Sequence, residues 1–221
     1  MTEPARIFDE PIALTVALDQ LGLRADWLLA SVEEGIGPVL ACTLHDPRQL
    51  PGILGWGKIT RAWRDRVIPL GHKRLTNMGQ ALTVDPTGSY GIVIAAGDRG
   101  TGRRNEHPSN RSPKGVATYR AIDENIRSFA EYEPDFGRFA KASKGAPRQT
   151  WFLLYFIDDE LEEVRAELSL PKTIDDEGYV TEWETRILLQ PPLTLPGKPA
   201  FMADDDDEGD DDIDVMRKQT G

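Results

Sequence analysis

Residues 151–157, WFLLYFI, constrain the fold more than any other part of this sequence. Successive side chains of a β-strand point to opposite faces of its sheet, so a strand over these residues has two apolar faces. A strand with one face in water alternates apolar and polar residues instead, and a buried helix is normally longer than this run. We therefore predict a central strand that other elements cover on both faces.

Four stretches have the apolar spacing or the end signals of helices. Asp9 followed by Pro11 is typical of a helix start, while Gly22 and Gly35 are typical of residues at which helices stop. A Ser-Pro pair before residue 114 likewise favours a helix start. We predict helices over residues 9–21, 26–35, 53–67 and 114–129.

Four further stretches have the composition of strands. Residues 81–84 and 90–95 are β-prone and flank the turn sequence DPTGS, which predicts a hairpin. Residues 164–170 and 181–189 alternate apolar with polar side chains, so we expect the first of these strands to have one face toward solvent. The polar side of that strand consists of Arg165, Glu167 and Ser169.

Together these patterns predict an α+β fold, in which N-terminal helices are followed by a mostly antiparallel sheet of about four or five strands with a packed helix. A proline-rich stretch is typical of a linker, and like charges with few apolar residues are typical of disorder. We predict a mainly helical part over residues 1–75, an α+β core over 76–190, a proline-rich linker over 191–202 and a disordered acidic tail over 203–221.

Charge is distributed unevenly along the chain, whose 221 residues have a formal net charge of −11. Residues 58–120 carry twelve basic and four acidic side chains, whereas residues 203–221 carry nine acidic side chains against two basic ones. A basic segment in an acidic chain favours contact with an anion. The alternative is that carboxylates from the flanking segments neutralise it, in ion pairs that individually contribute little.

A polar loop over residues 97–114 is the first candidate binding region. Its three glycines let backbone N–H groups turn toward an anion, and it precedes a predicted helix. It lacks the full glycine pattern of a dinucleotide-binding motif or a P-loop. A loop of this length is usually functional or disordered, so the alternative is a mobile surface loop without a ligand. Its basic side chains are Arg103, Arg104, Arg111 and Lys114.

The helix predicted over residues 53–67 is the second candidate region. Its apolar spacing places Trp56 and Trp63 on one face, where we expect both to pack in the core rather than to stack on nucleic-acid bases. The opposite face is basic, a pattern that also fits an ordinary solvated surface. The basic side chains of that face are Lys58, Arg61 and Arg64.

The two regions predict a non-catalytic binding module for a polyanion, with nucleic acid, DNA or RNA, as the expected ligand. The acidic tail would compete for the same surface and so modulate access. The alternative is a protein-interaction or adaptor protein, in which the tail or the basic loop binds an oppositely charged protein. The predicted phosphate contacts, which position a ligand without reading its sequence, are Lys58, Arg61, Arg64, Arg103, Arg104, Arg111 and Lys114.

A metal-dependent nuclease or phosphodiesterase is a further alternative, because Asp98 follows one predicted strand and Glu167 lies on another. The simpler interpretation is that Glu167 pairs with Arg165 or Arg186 across the polar face of the sheet. We therefore favour a protein that is not an enzyme over one that uses these two carboxylates.

Few other residues are candidates for catalysis, metal binding or disulfide formation. The single cysteine, Cys42, excludes an internal disulfide and a multi-cysteine zinc site, and His45, His72 and His107 do not have the spacing of a zinc motif. No apolar run is long enough to span a bilayer, and the first residues lack the pattern of a signal peptide. We expect a cytoplasmic protein with no metal, no cofactor and no membrane association.

Overall fold

The structure, a computed structural model, describes residues 4–77, 80–130 and 149–195. The helices in these parts of the chain are α1 (Pro11–Gln20), α2 (Ala25–Leu40), α3 (Leu50–Val67) and α4 (Val116–Ala130), with a 3₁₀ turn at Ile68–Leu70. The strands are β1 (Arg6–Phe8), β2 (Lys73–Asn77), β3 (Gln80–Val84), β4 (Tyr90–Ala96), β5 (Gln149–Asp158), β6 (Glu163–Ile174) and β7 (Val180–Thr194).

The strands form one seven-stranded mixed sheet in the order β1-β7-β6-β5-β4-β3-β2. β1 is parallel to β7 and β4 is parallel to β5, whereas the other neighbours are antiparallel. The α+β class is therefore confirmed, but the predicted count of four or five strands is too low. The two strands that the sequence does not reveal, β1 and β2, lie at the sheet edges. Their sequences, RIF and KRLTN, lack the apolar alternation that indicates a strand.

β5 is the middle strand of the sheet, as its two apolar faces predict. The odd-numbered side chains from Trp151 to Tyr155 pack in one core with α1, α2 and α3. Phe152 and Leu154 pack in a second core beneath α4, on the other face. All of these side chains are at most 4% exposed, so β5 is covered on both sides.

α2 continues past Gly35, where we expected it to stop, and ends at Leu40. Gly35 lies against α3, because a Cβ atom there would come within 2.5 Å of the backbone nitrogen of Ile59. The glycine therefore allows close approach of two helices and does not end one. The predicted end of α2 is wrong because a contact between helices leaves no local sign in the sequence.

The buried face of α3 differs from the predicted one in the first half of the helix. Ile59 and Trp63 are fully buried as expected, but Trp56 is 44% exposed. The residue that faces the sheet at this level is Gly55, where a Cβ atom would come within 2.5 Å of the hydroxyl oxygen of Tyr155. Because the helix backbone lies so close to β5 here, Trp56 points outward, and its predicted position in the core is wrong.

The side of β6 that we expected to face solvent is buried. Arg165, Glu167 and Ser169 are at most 3% exposed and point away from the core that contains α1, α2 and α3. Residues 97–110, which we call the covering loop, lie over them and form hydrogen bonds with the side chains of Arg165 and Glu167. The alternating pattern of β6 correctly predicts that one face of the strand is polar. That face is covered by the polar backbone of the loop, however, and not by water.

β7 continues through Pro191 and Pro192 to Thr194. The pairing between β6 and β7 shifts at this level, so the two prolines lie where the regular hydrogen-bond ladder is interrupted. Residues 196–202 of the predicted linker and the acidic tail at 203–221 lie outside the described residues.

Candidate functional site

The seven predicted phosphate-binding residues fall into two groups with different surroundings. The first group lies on α3, which packs on one face of the sheet, and the second lies in or just after the covering loop, on the other face. The α3 group is Lys58, Arg61 and Arg64, and the loop group is Arg103, Arg104, Arg111 and Lys114.

A buried ion pair in the sheet holds the covering loop. Arg186 of β7 donates to both carboxylate oxygens of Glu167, with Nε–Oε1 at 3.0 Å and Nη2–Oε2 at 2.6 Å. The same carboxylate accepts from the hydroxyl of Ser169 at 2.7 Å and from the backbone N–H of Gly102, in the loop, at 2.7 Å. The pairing of Glu167 with Arg186 that the sequence favours is therefore present, and the charge is fully hydrogen-bonded.

The covering loop turns its carbonyl groups toward the sheet. Arg186 donates to the carbonyl oxygens of Glu106 at 2.6 Å and Arg103 at 3.0 Å. Arg165 donates in the same way to the carbonyl oxygen of Thr101 at 2.8 Å. Loop carbonyls therefore take the place of water around two buried guanidinium groups. The N–H groups of Gly100 and Gly102 do turn toward anions, but these anions are the protein's own carboxylates, Asp98 and Glu167.

The side chains of Arg103 and Arg104 have carboxylate partners. Arg103 lies 2.9 Å from Glu106 and 3.4 Å from Asp158, and Arg104 pairs with Asp9. Asp9 and Asp158 come from the acidic segments on either side of the basic one. For Arg103 and Arg104, the structure therefore agrees with the alternative interpretation of the charge pattern, in which carboxylates from the flanking segments neutralise the basic segment.

The last two members of the loop group have different environments. Arg111 is exposed, and its backbone N–H donates to the carbonyl of Ala96 at 2.9 Å. Lys114 is half-buried, and burial lowers the pKa of its ammonium group. Arg111 is therefore the better placed of the two for contact with an external anion.

A cleft of about 290 Å³ lies between α3 and the edge strand β2, and we call it the α3–β2 cleft. Its lining includes the guanidinium-bearing residues Arg61, Arg64 and Arg74 and the aromatic residue Trp56. Two members of the α3 group therefore meet a third arginine, from β2, at one concavity. The remaining lining residues are Gly57, Thr60, Asp65, Ile68 and Ala81.

Arg64 is the most firmly held cation of the cleft. Its Nε donates to the hydroxyl of Thr83 at 3.2 Å, and its Nη2 donates to the carbonyl of Leu82 at 3.1 Å. Burial and the neighbouring charge of Arg74 lower the pKa of Arg64. Both acceptors are uncharged, and within the described residues neither Arg64 nor Arg74 forms an ion pair with a carboxylate. An anion in the cleft would stabilise two like charges held side by side.

Arg61 lies at the rim of the cleft. It pairs with Asp65, one turn along α3, at 3.4 Å, and the two side chains are 73% and 64% exposed. An exposed pair of this kind contributes little stability, so Arg61 is free to exchange Asp65 for another anion at small cost. Lys58 is exposed on the same helix but does not line the cleft.

Sequence reasoning does not identify Trp56 and Arg74 as site residues. The apolar spacing of α3 favours a core position for Trp56, and Arg74 lies on a strand that the local pattern does not reveal. The available signal is the pair of glycines beside Trp56: Gly55 makes a close contact with β5, whereas Gly57 has open space where its side chain would be. The glycine at position 55 lets the helix lie close to the sheet, and the glycine at position 57 leaves room at the surface for a cleft.

Asp98 and Glu167, the alternative catalytic pair, are neighbours. Burial is the main cause of the raised pKa of Asp98, and the charge of Glu167 adds to it. Asp98 accepts from the backbone N–H groups of Gly100 at 3.0 Å and Ser109 at 2.9 Å. Across the described ranges, no group of three His, Cys, Asp or Glu side chains is placed to hold a metal ion. In this geometry both carboxylates organise the covering loop.

No protein-family model matches this chain, and no curated protein or solved structure is significantly similar to it. None of the helices in the described parts is both long and apolar enough to cross a membrane.

Proposed function

We propose that this protein is a non-catalytic module that binds nucleic acid through the α3–β2 cleft, with Arg64 and Arg74 as the central phosphate contacts. The observation that carries the proposal is the placement of these two guanidinium groups as neighbours in a concave site, without a carboxylate partner among the described residues. Arginine binds phosphate through two parallel N–H groups, and such charge-assisted hydrogen bonds are stronger than neutral ones. In Arg64, Nε and one N–H of Nη2 already donate to Thr83 and Leu82, so the remaining edge, formed by Nη1 and Nη2, is the one that would bind a phosphate.

The other predicted contact residues are expected to contribute to binding to different degrees. Lys58 and Arg61 extend the positive surface along α3, and Arg111 adds an exposed charge. Arg103 and Arg104 already have carboxylate partners, so a phosphate must displace a carboxylate to bind them. We therefore expect them to contribute less than Arg64 and Arg74.

The acidic tail supplies the regulation in this proposal. Its nine carboxylates lie on the same chain as the cleft, and a tethered competitor acts at a high effective concentration, on the order of millimolar. The tail therefore competes with nucleic acid, and raising the salt concentration weakens both interactions.

The test is the affinity of the full-length protein for short DNA and RNA oligonucleotides, measured by fluorescence anisotropy over a series of salt concentrations. We expect the double variant Arg64→Gln, Arg74→Gln to lose about tenfold or more in affinity. The matched double variant Arg103→Gln, Arg104→Gln removes the same charge from the covering loop, and we expect its affinity to remain close to that of the parent. Thermal unfolding of all variants checks that the fold is intact.

A second arm of the test addresses the tail. Changing Asp204, Asp205, Asp206 and Asp207 to asparagine keeps the chain length and removes four charges, and we expect tighter binding. No binding of any oligonucleotide, or binding that salt does not weaken, contradicts the proposal and favours the protein-interaction alternative.

A further inference from the structure

Trp56 distinguishes the α3–β2 cleft from a simple patch of positive charge. Trp63, Trp151 and Trp183 are at most 4% exposed, and Trp27 is half-buried with the guanidinium of Arg24 over its ring at 5.8 Å. Trp56 is 44% exposed and lines the cleft. It is thus the one tryptophan of the chain's five that presents a large ring to a binding site.

The backbone of Trp56 is part of the regular helix α3. Its carbonyl oxygen accepts a hydrogen bond from the hydroxyl of Thr60, one turn along the helix, at 2.7 Å. Gly57, which also lines the cleft, has open space where a Cβ atom would be. An exposed aromatic ring beside fixed cations is the arrangement by which proteins bind unpaired bases, the ring stacking on the base and the cations binding the backbone.

The size of the cleft argues against a duplex as its ligand. Its volume of about 290 Å³ is just below the range of about 300–1,000 Å³ that is typical of small-molecule pockets, enough for a single flat group. In a duplex the faces of the bases are stacked on one another, and a protein reaches only their edges. Trp56 can stack only on a base that is unpaired.

We infer that the α3–β2 cleft binds one nucleotide of a single strand, with its base stacked on Trp56 and a flanking phosphate between Arg64 and Arg74. The inference rests on the proposed function and adds the strandedness of the ligand. Asp65 lies in the same lining, but its pairing with Arg61 at 3.4 Å offsets its charge toward the phosphate.

The experiment compares three probes on the full-length protein: a short oligothymidylate, an oligomer of equal length made of abasic sites, and a duplex of equal length. The abasic oligomer keeps the phosphates and removes the bases, so it separates stacking from charge. We expect Trp56→Leu to weaken oligothymidylate binding about tenfold and to leave binding of the abasic oligomer unchanged. Trp56→Phe keeps an aromatic ring, and we expect it to retain part of the affinity. The unfolding midpoint of each variant controls for folding.

The outcomes separate this inference from the proposed function. If Arg64→Gln weakens all three probes and Trp56→Leu weakens none, the cleft binds polyanions and the stacking inference is wrong. Equal loss of both single-stranded probes on Trp56→Leu, or duplex binding as tight as that of oligothymidylate, overturns the inference as well. If no probe binds the parent protein, the proposed function fails and the inference fails with it.

Discussion

The two arginine-rich regions of this protein use the same side chain in opposite ways. In the covering loop, the side chains of Arg103 and Arg104 pair with carboxylates, and loop carbonyls surround the buried guanidinium group of Arg186. In the α3–β2 cleft, Arg64 touches only uncharged acceptors and lies beside Arg74. Arg103 and Arg104 are therefore neutralised by carboxylates of the protein, whereas Arg64 and Arg74 have no carboxylate partner among the described residues.

A count of basic residues therefore does not locate a binding surface. The loop and α3 belong to the same basic segment of the sequence. What separates them is the position of the carboxylates, and the partner of Arg104, Asp9, lies 95 residues away along the chain. We expect substitutions in the loop to act mainly on stability and those in the cleft mainly on binding.

The largest effect should come from breaking the buried pair beneath the loop. Arg186→Met leaves the Glu167 carboxylate buried without its cation, and we expect a loss of about 3–5 kcal/mol in the free energy of unfolding. Urea denaturation followed by circular dichroism measures this change. The control is Arg103→Met, in a partly exposed pair, for which we expect a loss below about 1 kcal/mol. Similar small losses for both variants would mean that the buried pair does not hold the loop.

Two glycine substitutions on neighbouring helices should affect stability and binding differently. Gly35→Ala forces α2 away from the backbone of Ile59, and we expect a loss of about 1–3 kcal/mol in stability. Gly57→Ala has open space and improves helix propensity, so we expect a gain of about 0.5–1 kcal/mol. Because its methyl group enters the lining of the α3–β2 cleft, Gly57→Ala should also weaken oligonucleotide binding.

Urea denaturation measures the stability of these two variants, and fluorescence anisotropy measures their affinity for oligothymidylate. A more stable Gly57→Ala protein with weaker binding separates the two properties at one position. Unchanged or tighter binding by that variant would place the ligand outside the cleft.

The salt dependence of binding compares the two regions directly. Each arginine that contacts a phosphate of a single strand contributes about 0.7 to the slope of log affinity against log salt concentration. We expect Arg64→Gln and Arg74→Gln each to reduce the slope for oligothymidylate by about 0.7, and Arg103→Gln to leave it unchanged. The reverse pattern would assign the phosphate contacts to the covering loop.

The smallest effect concerns His72, which precedes the strand that carries Arg74. His72 is 8% exposed, packs its ring against Trp63 with centroids 6.3 Å apart, and has no hydrogen-bond partner for either ring nitrogen among the described residues. Burial lowers its pKa from the ordinary value of 6.5, and the charge of Asp85 and the backbone carbonyl of Val67 oppose that shift only in part. The unfolded chain therefore takes up the proton more readily than the folded protein does.

The contribution of neutral His72 to the free energy of unfolding is fully present at pH values well above 6.5, the ordinary pKa of histidine. It is lost as the pH falls from that value toward the lower pKa of the folded state, by at most about 1.4 kcal/mol per pH unit. Urea denaturation at about pH 7.5 and about pH 5.5 should show a smaller decrease for His72→Leu than for the parent. An equal decrease in both proteins would mean that another group controls the acid response.

Local patterns predict the centre of this fold well. The run at 151–157 has two apolar faces that only a central position can bury, and DPTGS joins β3 and β4 as turn chemistry requires. The failures share a cause, which is contact between distant parts of the chain. Gly35 is explained by Ile59 and Gly55 by Tyr155, and the local sequence records neither partner.

The candidate site was harder to predict than the fold for the same reason. Arg61 and Arg64 are recognisable as a basic helix face, but Arg74 joins them only through the edge strand β2. Glu167 is recognisable as a partner for Arg186, whereas the loop that covers both reaches them from residues 97–110. Which cations remain available to a ligand depends on these distant partners.

The most direct test of the account is a map of the surface that meets the ligand. In amide chemical-shift titrations of the full-length protein with oligothymidylate, we predict the largest changes over residues 56–65 and 73–77. We predict little change over residues 97–110, where Arg103 and Arg104 already pair with carboxylates of the protein. Shifts centred on the covering loop, with the α3–β2 cleft unaffected, would contradict the account.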